Sequence, residues 1–170
     1  MKFISLDVET ANPDMASICQ VGVGIFENGK LAETWKAYVD PQDYFHWRFT
    51  QIHGITASSV AGKRTLPRIY PKLRRLFEGN TVVHHSPFDR TAFRKAFDKY
   101  GLEPFEVNWV DSVQVARRAW PNLIGGYGLA NLACHFDIEF RHHDALEDSV
   151  ACGRIFALAL KKLGTDRWSP

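Results

Sequence analysis

The chain has 170 residues, of which 45% are hydrophobic and 24% charged, as in one soluble globular domain. Its three cysteines include no Cys-x-x-Cys pair, which argues against a disulfide framework and a structural zinc site. No apolar run is long enough to cross a membrane, and no secretory leader stands at the amino terminus. We therefore expect a cytoplasmic protein with one domain over residues 1–164 and a short tail over 165–170.

The net charge of +2 conceals an uneven distribution of charge along the chain. Residues 61–100 contain ten Lys or Arg residues but only three Asp or Glu residues. This basic stretch is either a solvated helix face or a surface that binds a polyanion. Composition alone does not separate the two interpretations.

The first forty residues predict a strand followed by a β-hairpin. Residues 3–6 are a short apolar run that ends at Asp7, which is typical of a buried strand. Residues 18–26 and 31–39 are rich in strand-forming side chains and flank Asn28-Gly29, a hairpin turn signal.

The rest of the chain predicts helices that alternate with short strands. Residues 41–56 are rich in aromatic side chains and are expected to form a loop. Residues 66–77 show helical apolar spacing, with an irregular start expected because Pro71 lies inside the run. Further helices are expected over 86–101, 113–120, 129–136 and 145–163, and strands over 81–83 and 107–110. This order indicates an α/β domain with a mixed sheet.

Two acidic residues stand at the end of the first predicted strand. Asp7 and Glu9 are two positions apart, so strand alternation points both side chains to one side, roughly 6.5–7 Å apart along the chain. In an alternative interpretation, Asp7 caps a turn and Glu9 is exposed.

Two further acidic residues fall within the apolar stripes of predicted helices. Asp89 aligns with positions 93, 96 and 100, and Asp148 aligns with positions 145, 152, 155 and 159. The helix dipole is an alternative explanation for Asp89, and a buried salt bridge is one for Asp148. A charge in such a stripe needs a partner or a metal ion.

Divalent cations would satisfy all four carboxylates together. Oxygen ligands from one strand and two helices suit Mg²⁺ or Mn²⁺. A pair of such ions about 3.5–4 Å apart is the usual machinery of in-line phosphodiester cleavage. His143, five residues before Asp148, is placed to take the proton from an attacking water, and the adjacent His142 is the alternative base.

The four acids and His143 fall in three short motifs. These are Leu6-Asp7-Val8-Glu9-Thr10, His84-His85-Ser86-Pro87-Phe88-Asp89 and His143-Asp144-Ala145-Leu146-Glu147-Asp148. Together with Ile52-His53-Gly54-Ile55-Thr56, they resemble the DnaQ-like DEDD exonuclease superfamily. The His-x-Ala-x-x-Asp order is similar to the histidine subclass, DEDDh, because the tyrosine subclass has Tyr at position 144, where this chain has Asp.

The resemblance implies a fold and a set of site residues. The fold would be ribonuclease H-like, a five-stranded mixed sheet with helices on both faces. His143 would be the general base, and two Mg²⁺ or Mn²⁺ ions would be held by Asp7, Glu9, Asp89 and Asp148. The terminal nucleotide would be contacted by Thr10, Ile52, His53 and Phe88.

Three polar residues near the motifs are interpreted as structural. His85 stands where many relatives have Asn, and we expect it and His84 to support the fold rather than the chemistry. Asp111 follows a predicted strand, and we expect it to cap the next helix.

By resemblance, the chain is a 3′→5′ exonuclease that releases nucleoside monophosphates from single-stranded or mispaired DNA, in proofreading or repair. DNA is favoured over RNA, and association with a polymerase is left open, as is the oligomeric state. The alternatives are an exoribonuclease similar to oligoribonuclease or ribonuclease T, and a catalytically silent nucleic-acid-binding module.

Overall fold

Five strands form one mixed sheet in the computed structural model, which describes residues 2–165. Their order across the sheet is β3-β2-β1-β4-β5. The first three strands are antiparallel to one another, whereas β4 runs parallel to β1 and β5 runs parallel to β4. The strands are β1 (Lys2–Thr10), β2 (Ile18–Glu27), β3 (Lys30–Tyr38), β4 (Thr81–His84) and β5 (Asn108–Asp111). This sheet confirms the predicted fold class.

Helices cover both faces of the sheet, each over its own apolar core. One core packs side chains of α3 and α4 against Ile4, Leu6 and Val8 of β1, and the other packs α5, α6 and α7 against Phe3. The helices are α1 (Trp47–His53), α2 (Ala57–Val60), α3 (Leu66–Phe77), α4 (Phe88–Tyr100), α5 (Ser112–Ala119), α6 (Leu129–His135) and α7 (Ala145–Leu163). No helix in the described range is long and apolar enough to cross a bilayer.

Three local predictions were wrong. β1 continues past Asp7 to Thr10, because β2 pairs with it along that whole length. Residues 47–53 of the predicted loop form α1, which is capped by the His46 side chain at its start and by Gly54, with φ of 74°, at its end. The start of α3 is regular: the helix runs from Leu66 through Pro71 to Phe77, and the N–H groups of Arg68 and Ile69 both donate to the Thr65 carbonyl.

The end of the domain and the cysteines complete the description. α7 ends at Leu163 and is capped by Gly164, and Thr165 has no regular structure. Of the predicted tail over 165–170, residues 166–170 lie outside the described residues, and the domain boundary stays a prediction. All three cysteines are free thiols: Cys19 and Cys152 are buried, and Cys134 is exposed. Burial raises the pKa of both buried thiols.

Candidate active site

The end of β1 projects beyond its neighbour β4 and carries the first acidic pair. β4 pairs with β1 only at Ile4 and Ser5, so the following residues have no strand on that side. The N–H of Val8 donates instead to Oδ1 of Asp89, at 3.0 Å. Asp89 lies in the first turn of α4 and is 2% exposed, so this bond fixes its carboxylate beside β1.

The start of α7 brings in the fourth acid. Asp144 is the N-cap and accepts from the N–H of Leu146, at 3.1 Å. Asp148, in the first turn, is 3% exposed, and its Oδ2 accepts from the backbone N–H of His143 at 3.0 Å. Its Oδ1 lies 3.0 Å from Nδ1 of His142.

One recess of about 310 Å³ brings the predicted catalytic residues together. One carboxylate oxygen from each of Asp7, Glu9 and Asp148 lies within 4.8 Å of the other two, which is close enough to share a divalent ion. Asp89 lines the same recess but lies outside that trio. The lining of this carboxylate recess comprises Asp7, Val8, Glu9, His85, Ser86, Phe88, Asp89, Leu129, His142, His143 and Asp148.

The carboxylates of the recess repel one another. Burial raises the pKa of Asp7 well above its ordinary value, and Asp89, Asp148 and Glu9 raise it further. Burial and the neighbouring acids also raise the pKa of Glu9 to about 8, and burial raises the pKa of Asp89 to about 7. Hard oxygen donors held together at this cost fit a site for divalent cations, which remove the repulsion.

Both candidate bases line the recess. The rings of His142 and His143 stack with centroids 3.9 Å apart, and His143 has a positive φ of 66°. Burial and the adjacent His142 lower the pKa of His143, which favours the neutral imidazole that can accept a proton. The Nδ1 of His142 lies 3.0 Å from Asp148, and one ring nitrogen of each histidine and one Asp148 oxygen all lie within 4.8 Å of one another, so both rings have Asp148 as a neighbour.

The residues predicted to contact a nucleotide lie around the recess in different ways. Phe88 is 39% exposed and forms part of the lining. His53 has its Nε2 3.1 Å from the carbonyl oxygen of Thr10, and its Nδ1 accepts from the Ile55 N–H at 3.0 Å. Thr10 is buried, and Ile52 is 54% exposed outside the lining.

Sequence reasoning missed several residues that shape the site. Leu129 lines the recess from the start of α6, a segment with no motif. Gln20, Gly22 and Lys36 lie beneath the start of α7 and contact it. Only the strand register places these three opposite the acids of β1, and no local pattern in the sequence reveals it.

The predicted cap at Asp111 is confirmed, and the structural role of His85, which also borders the recess, stays a prediction. Asp111 is the N-cap of α5 and accepts from the Val113 N–H at 2.8 Å. His85 has its Nδ1 2.8 Å from Oγ of Ser112 and its Nε2 3.0 Å from the Tyr127 carbonyl oxygen.

Sequence comparisons with known proteins identify an exonuclease family and several relatives. Residues 4–156 match the RNase T exonuclease family. DNA polymerase III PolC-type of Caldanaerobacter subterraneus subsp. tengcongensis is 28% identical over 95% of this chain, which spans 12% of that protein. The 3′-5′ exonuclease DinG of Bacillus subtilis is 27% identical over 95% of this chain and is covered over 18% of its length.

A solved structure shows the same fold. The nuclease domain of 3′hExo, described as a DEDDh family member bound to rAMP, superposes with a TM-score of 0.79 at 16% identity. The match covers 94% of this chain and 90% of that domain.

Proposed function

This chain belongs to the RNase T exonuclease family, whose model matches residues 4–156. We propose that it is a 3′→5′ exonuclease of the DEDDh group and that it releases nucleoside monophosphates from 3′ ends of single-stranded or mispaired DNA. The observation that carries the proposal is the set of Asp7, Glu9 and Asp148 oxygens within 4.8 Å, with Asp89 in the same recess.

The four acids would hold the metal ions, and His143 would move the proton. Asp7, Glu9, Asp89 and Asp148 would bind two Mg²⁺ or Mn²⁺ ions, whose charge, when present, activates water and stabilises the leaving oxygen. His143 accepts the proton of the attacking water, a role that suits its lowered pKa.

The substrate's terminal nucleotide would lie against Phe88, Ile52, His53 and Thr10. The exposed side chains of Phe88 and Ile52 offer apolar surface, and base stacking of this kind does not depend on sequence. Thr10 is buried, so it would contribute to nucleotide binding only through its backbone carbonyl oxygen, which the His53 ring holds in place. A recess formed from three chain segments favours a frayed or unpaired end over a blunt duplex.

A basic surface supports a polyanionic substrate. This basic surface is a shallow pocket of about 540 Å³ that is lined by Lys63, Arg64, Thr65 and Arg68. The Arg64 carbonyl accepts from the Asp40 N–H at 3.1 Å, just after β3. This bond ties the basic surface to the same end of the strands as Glu9, because Glu9, Gln20 and Tyr38 lie opposite one another across the sheet. We expect substrate binding to weaken as salt concentration rises.

The choice of DNA rests on the relatives, and RNA is the second candidate. The PolC-type relative is named as a DNA polymerase, which favours DNA and a place in proofreading or repair, with association with a polymerase included in the proposal. The 3′hExo domain is described as bound to rAMP, which favours the exoribonuclease alternative.

Oligonucleotides labelled at either end test the reaction. With Mg²⁺ or Mn²⁺, we expect immediate release of labelled mononucleotide from a 3′ label only, faster from single strands than from blunt duplex, and no release in EDTA. The rates on DNA and RNA strands of the same sequence show which of the two nucleic acids is the preferred substrate. Internal cuts, release from the 5′ label first, or activity in EDTA would each contradict a separate part of the proposal.

Asp7→Asn tests the metal site directly. The substitution is nearly isosteric and removes one ligand charge, so we expect turnover to be lost while the fold is kept. Asp98→Asn, at an exposed position of α4, is the matched control and should retain wild-type turnover. The same rate in Asp7→Asn as in Asp98→Asn would reject the proposed ligand set.

A further inference from the structure

The first turn of α7 rests on a row of residues that crosses three strands. Asp7 of β1 lies opposite Gly22 of β2, which lies opposite Lys36 of β3. Glu9 lies opposite Gln20 in the same way. Directly opposed residues share a face of the sheet. Gly22, Lys36 and Gln20 therefore lie on the face that carries the two acids.

Gly22 lets the helix approach the sheet more closely than any side chain would allow. A Cβ atom at this position would lie 2.1 Å from both the backbone carbon and the oxygen of Ala145. The backbone at the start of α7 therefore sits directly on β2, and it has no room to settle further toward the sheet.

Gln20 binds this backbone from below. Its side chain is buried, and Oε1 accepts from the Ala145 N–H at 2.7 Å. The first N–H groups of a helix have no partner within the helix, so an acceptor here determines where the helix begins. Gln20 therefore fixes how far the first turn of α7 lies from the sheet and where its first N–H group points.

Lys36 fixes the residue before it. Its Nζ lies 2.5 Å from Oδ2 of Asp144, whose side chain is 4% exposed. Arg141 reaches the same oxygen at 2.5 Å, but its side chain is 77% exposed and comes from the same loop. Lys36 is the contact that ties Asp144 to the sheet.

We propose that Gln20 and Lys36 are positioning residues for His143 and Asp148. The two contacts hold residues 144 and 145, directly after His143, whose backbone N–H bonds Asp148. A shift at this point would move the proposed base and a proposed metal ligand together. The inference rests on the proposed function, in which Gln20 and Lys36 themselves touch neither metal nor substrate.

Variants at Gln20 separate the hydrogen bond from the volume of the side chain. Gln20→Met keeps the length but loses the acceptor, and we expect kcat to fall about 10- to 100-fold, the cost of a small misplacement. KM for the oligonucleotide should change little. Gln20→Glu keeps an oxygen acceptor, so it should keep the bond to the Ala145 N–H, but it adds a charge opposite Glu9 and is therefore compared by amide exchange and not by kcat. Gln114→Met, exposed on α5, is the control.

Backbone hydrogen exchange gives a readout that does not depend on activity. We expect the Ala145 amide to exchange faster in Gln20→Met than in the wild type or in Gln20→Glu. Titration with Mn²⁺ should show weaker binding in Gln20→Met, because Asp148 moves with the first turn.

Variants at Lys36 keep the test decisive if Gln20→Met does not fold. Lys36 lies partly at the surface, so Lys36→Met should fold, and we expect a smaller fall in kcat that Lys36→Arg restores. Lys30→Met, exposed in the same strand, is the control.

The outcomes distinguish this inference from the proposed function. A folded Gln20→Met with wild-type kcat and wild-type amide exchange would overturn the positioning role, as would equally fast exchange of the Ala145 amide in Gln20→Met and Gln20→Glu. If Gln20→Met is unfolded, wild-type kcat in Lys36→Met would overturn it. A wild-type protein without nuclease activity would reject the proposed function, and amide exchange with Mn²⁺ titration would still decide whether these contacts position α7.

Discussion

Two pairs of adjacent histidines have opposite surroundings in this protein. At the end of β4, His84 bonds the Ser86 carbonyl, and His85 has both ring nitrogens bound to Ser112 and Tyr127. Before α7, His142 and His143 stack on each other over Asp148. The ring nitrogens of the first pair are bonded to neutral groups of the fold, although His85 also borders the carboxylate recess, whereas the second pair lies against Asp148.

The comparison leads us to expect different roles for the same dipeptide, depending on what its ring nitrogens bind. A ring bonded at both nitrogens to fixed groups has no lone pair left for a proton, so it supports structure. His85 and His143 both line the carboxylate recess, but only His85 has both ring nitrogens bonded to the fold, so we expect His143 to be the ring that exchanges a proton with an entering water. The predictions below test this difference between the pairs.

The largest expected effect separates the two members of the second pair. His143→Ala should lower kcat by about 10²–10⁴, the usual contribution of a positioned general base. His142→Ala should lower it far less, because its ring bonds Asp148 and does not serve as the base. Single-turnover rates on a single-stranded 3′-labelled oligonucleotide measure both.

His135→Ala, at an exposed position of α6, controls for the loss of a surface imidazole and should leave the rate unchanged. If His142→Ala instead shows the large loss and His143→Ala the small one, the assignment of the base is reversed.

The next effect concerns stability in the first pair. His85→Ala removes the partners of Ser112 Oγ and the Tyr127 carbonyl, so we expect the free energy of unfolding to fall by about 1–3 kcal/mol. Its rate should fall much less than that of His143→Ala. Denaturant unfolding measures the first quantity, again with His135→Ala as the control. A wild-type unfolding free energy in His85→Ala would show that these bonds contribute nothing.

The smallest effect is a pH dependence that differs between the two regions. Because the pKa values of Asp7, Glu9 and Asp89 are raised, their contribution to stability is complete at low pH and is lost as pH rises, through a pKa of about 7 for Asp89 and about 8 for Glu9. Burial lowers the pKa of His84 and His85, so their contribution is present above pH 6.5 and is lost as pH falls below it.

Melting temperatures in EDTA isolate the carboxylates. Asp7→Asn should melt above the wild type, and the difference should grow from pH 5 to pH 8, by about 2–4 °C for each kcal/mol of repulsion relieved. Mg²⁺ should raise the melting temperature of the wild type more than that of Asp7→Asn. A difference that shrinks as pH rises would contradict the repulsion among the acids.

Much of the fold was predictable because its signals are local. The alignment of Asp89 and Asp148 with apolar helical stripes predicted buried carboxylates. In the structure the two residues are 2% and 3% exposed. The Asn28-Gly29 signal predicted the hairpin, and both residues adopt the positive φ that such a turn needs. Strand and helix alternation gave the mixed sheet.

The misses have physical causes. α1 has no buried residue, so it lacks the apolar stripe that reveals a helix, and it depends on its two caps. Gln20 and Lys36 look like ordinary strand residues, because their role depends on register across three strands. For the same reason, the sequence predicted that four acids lie near one another but not how they are grouped. Asp7, Glu9 and Asp148 form a close trio, and Asp89 lies outside it.

The distribution of the thiols gives the native chain a single site for chemical labelling. Burial disfavours the reactive thiolate at Cys19 and Cys152, whereas Cys134 is exposed near the end of α6, a helix whose first residue, Leu129, borders the carboxylate recess. A maleimide dye should therefore attach at one position and at a ratio of about one per chain. A fluorophore placed there needs no engineered cysteine, and it lies on a helix whose first residue borders the recess.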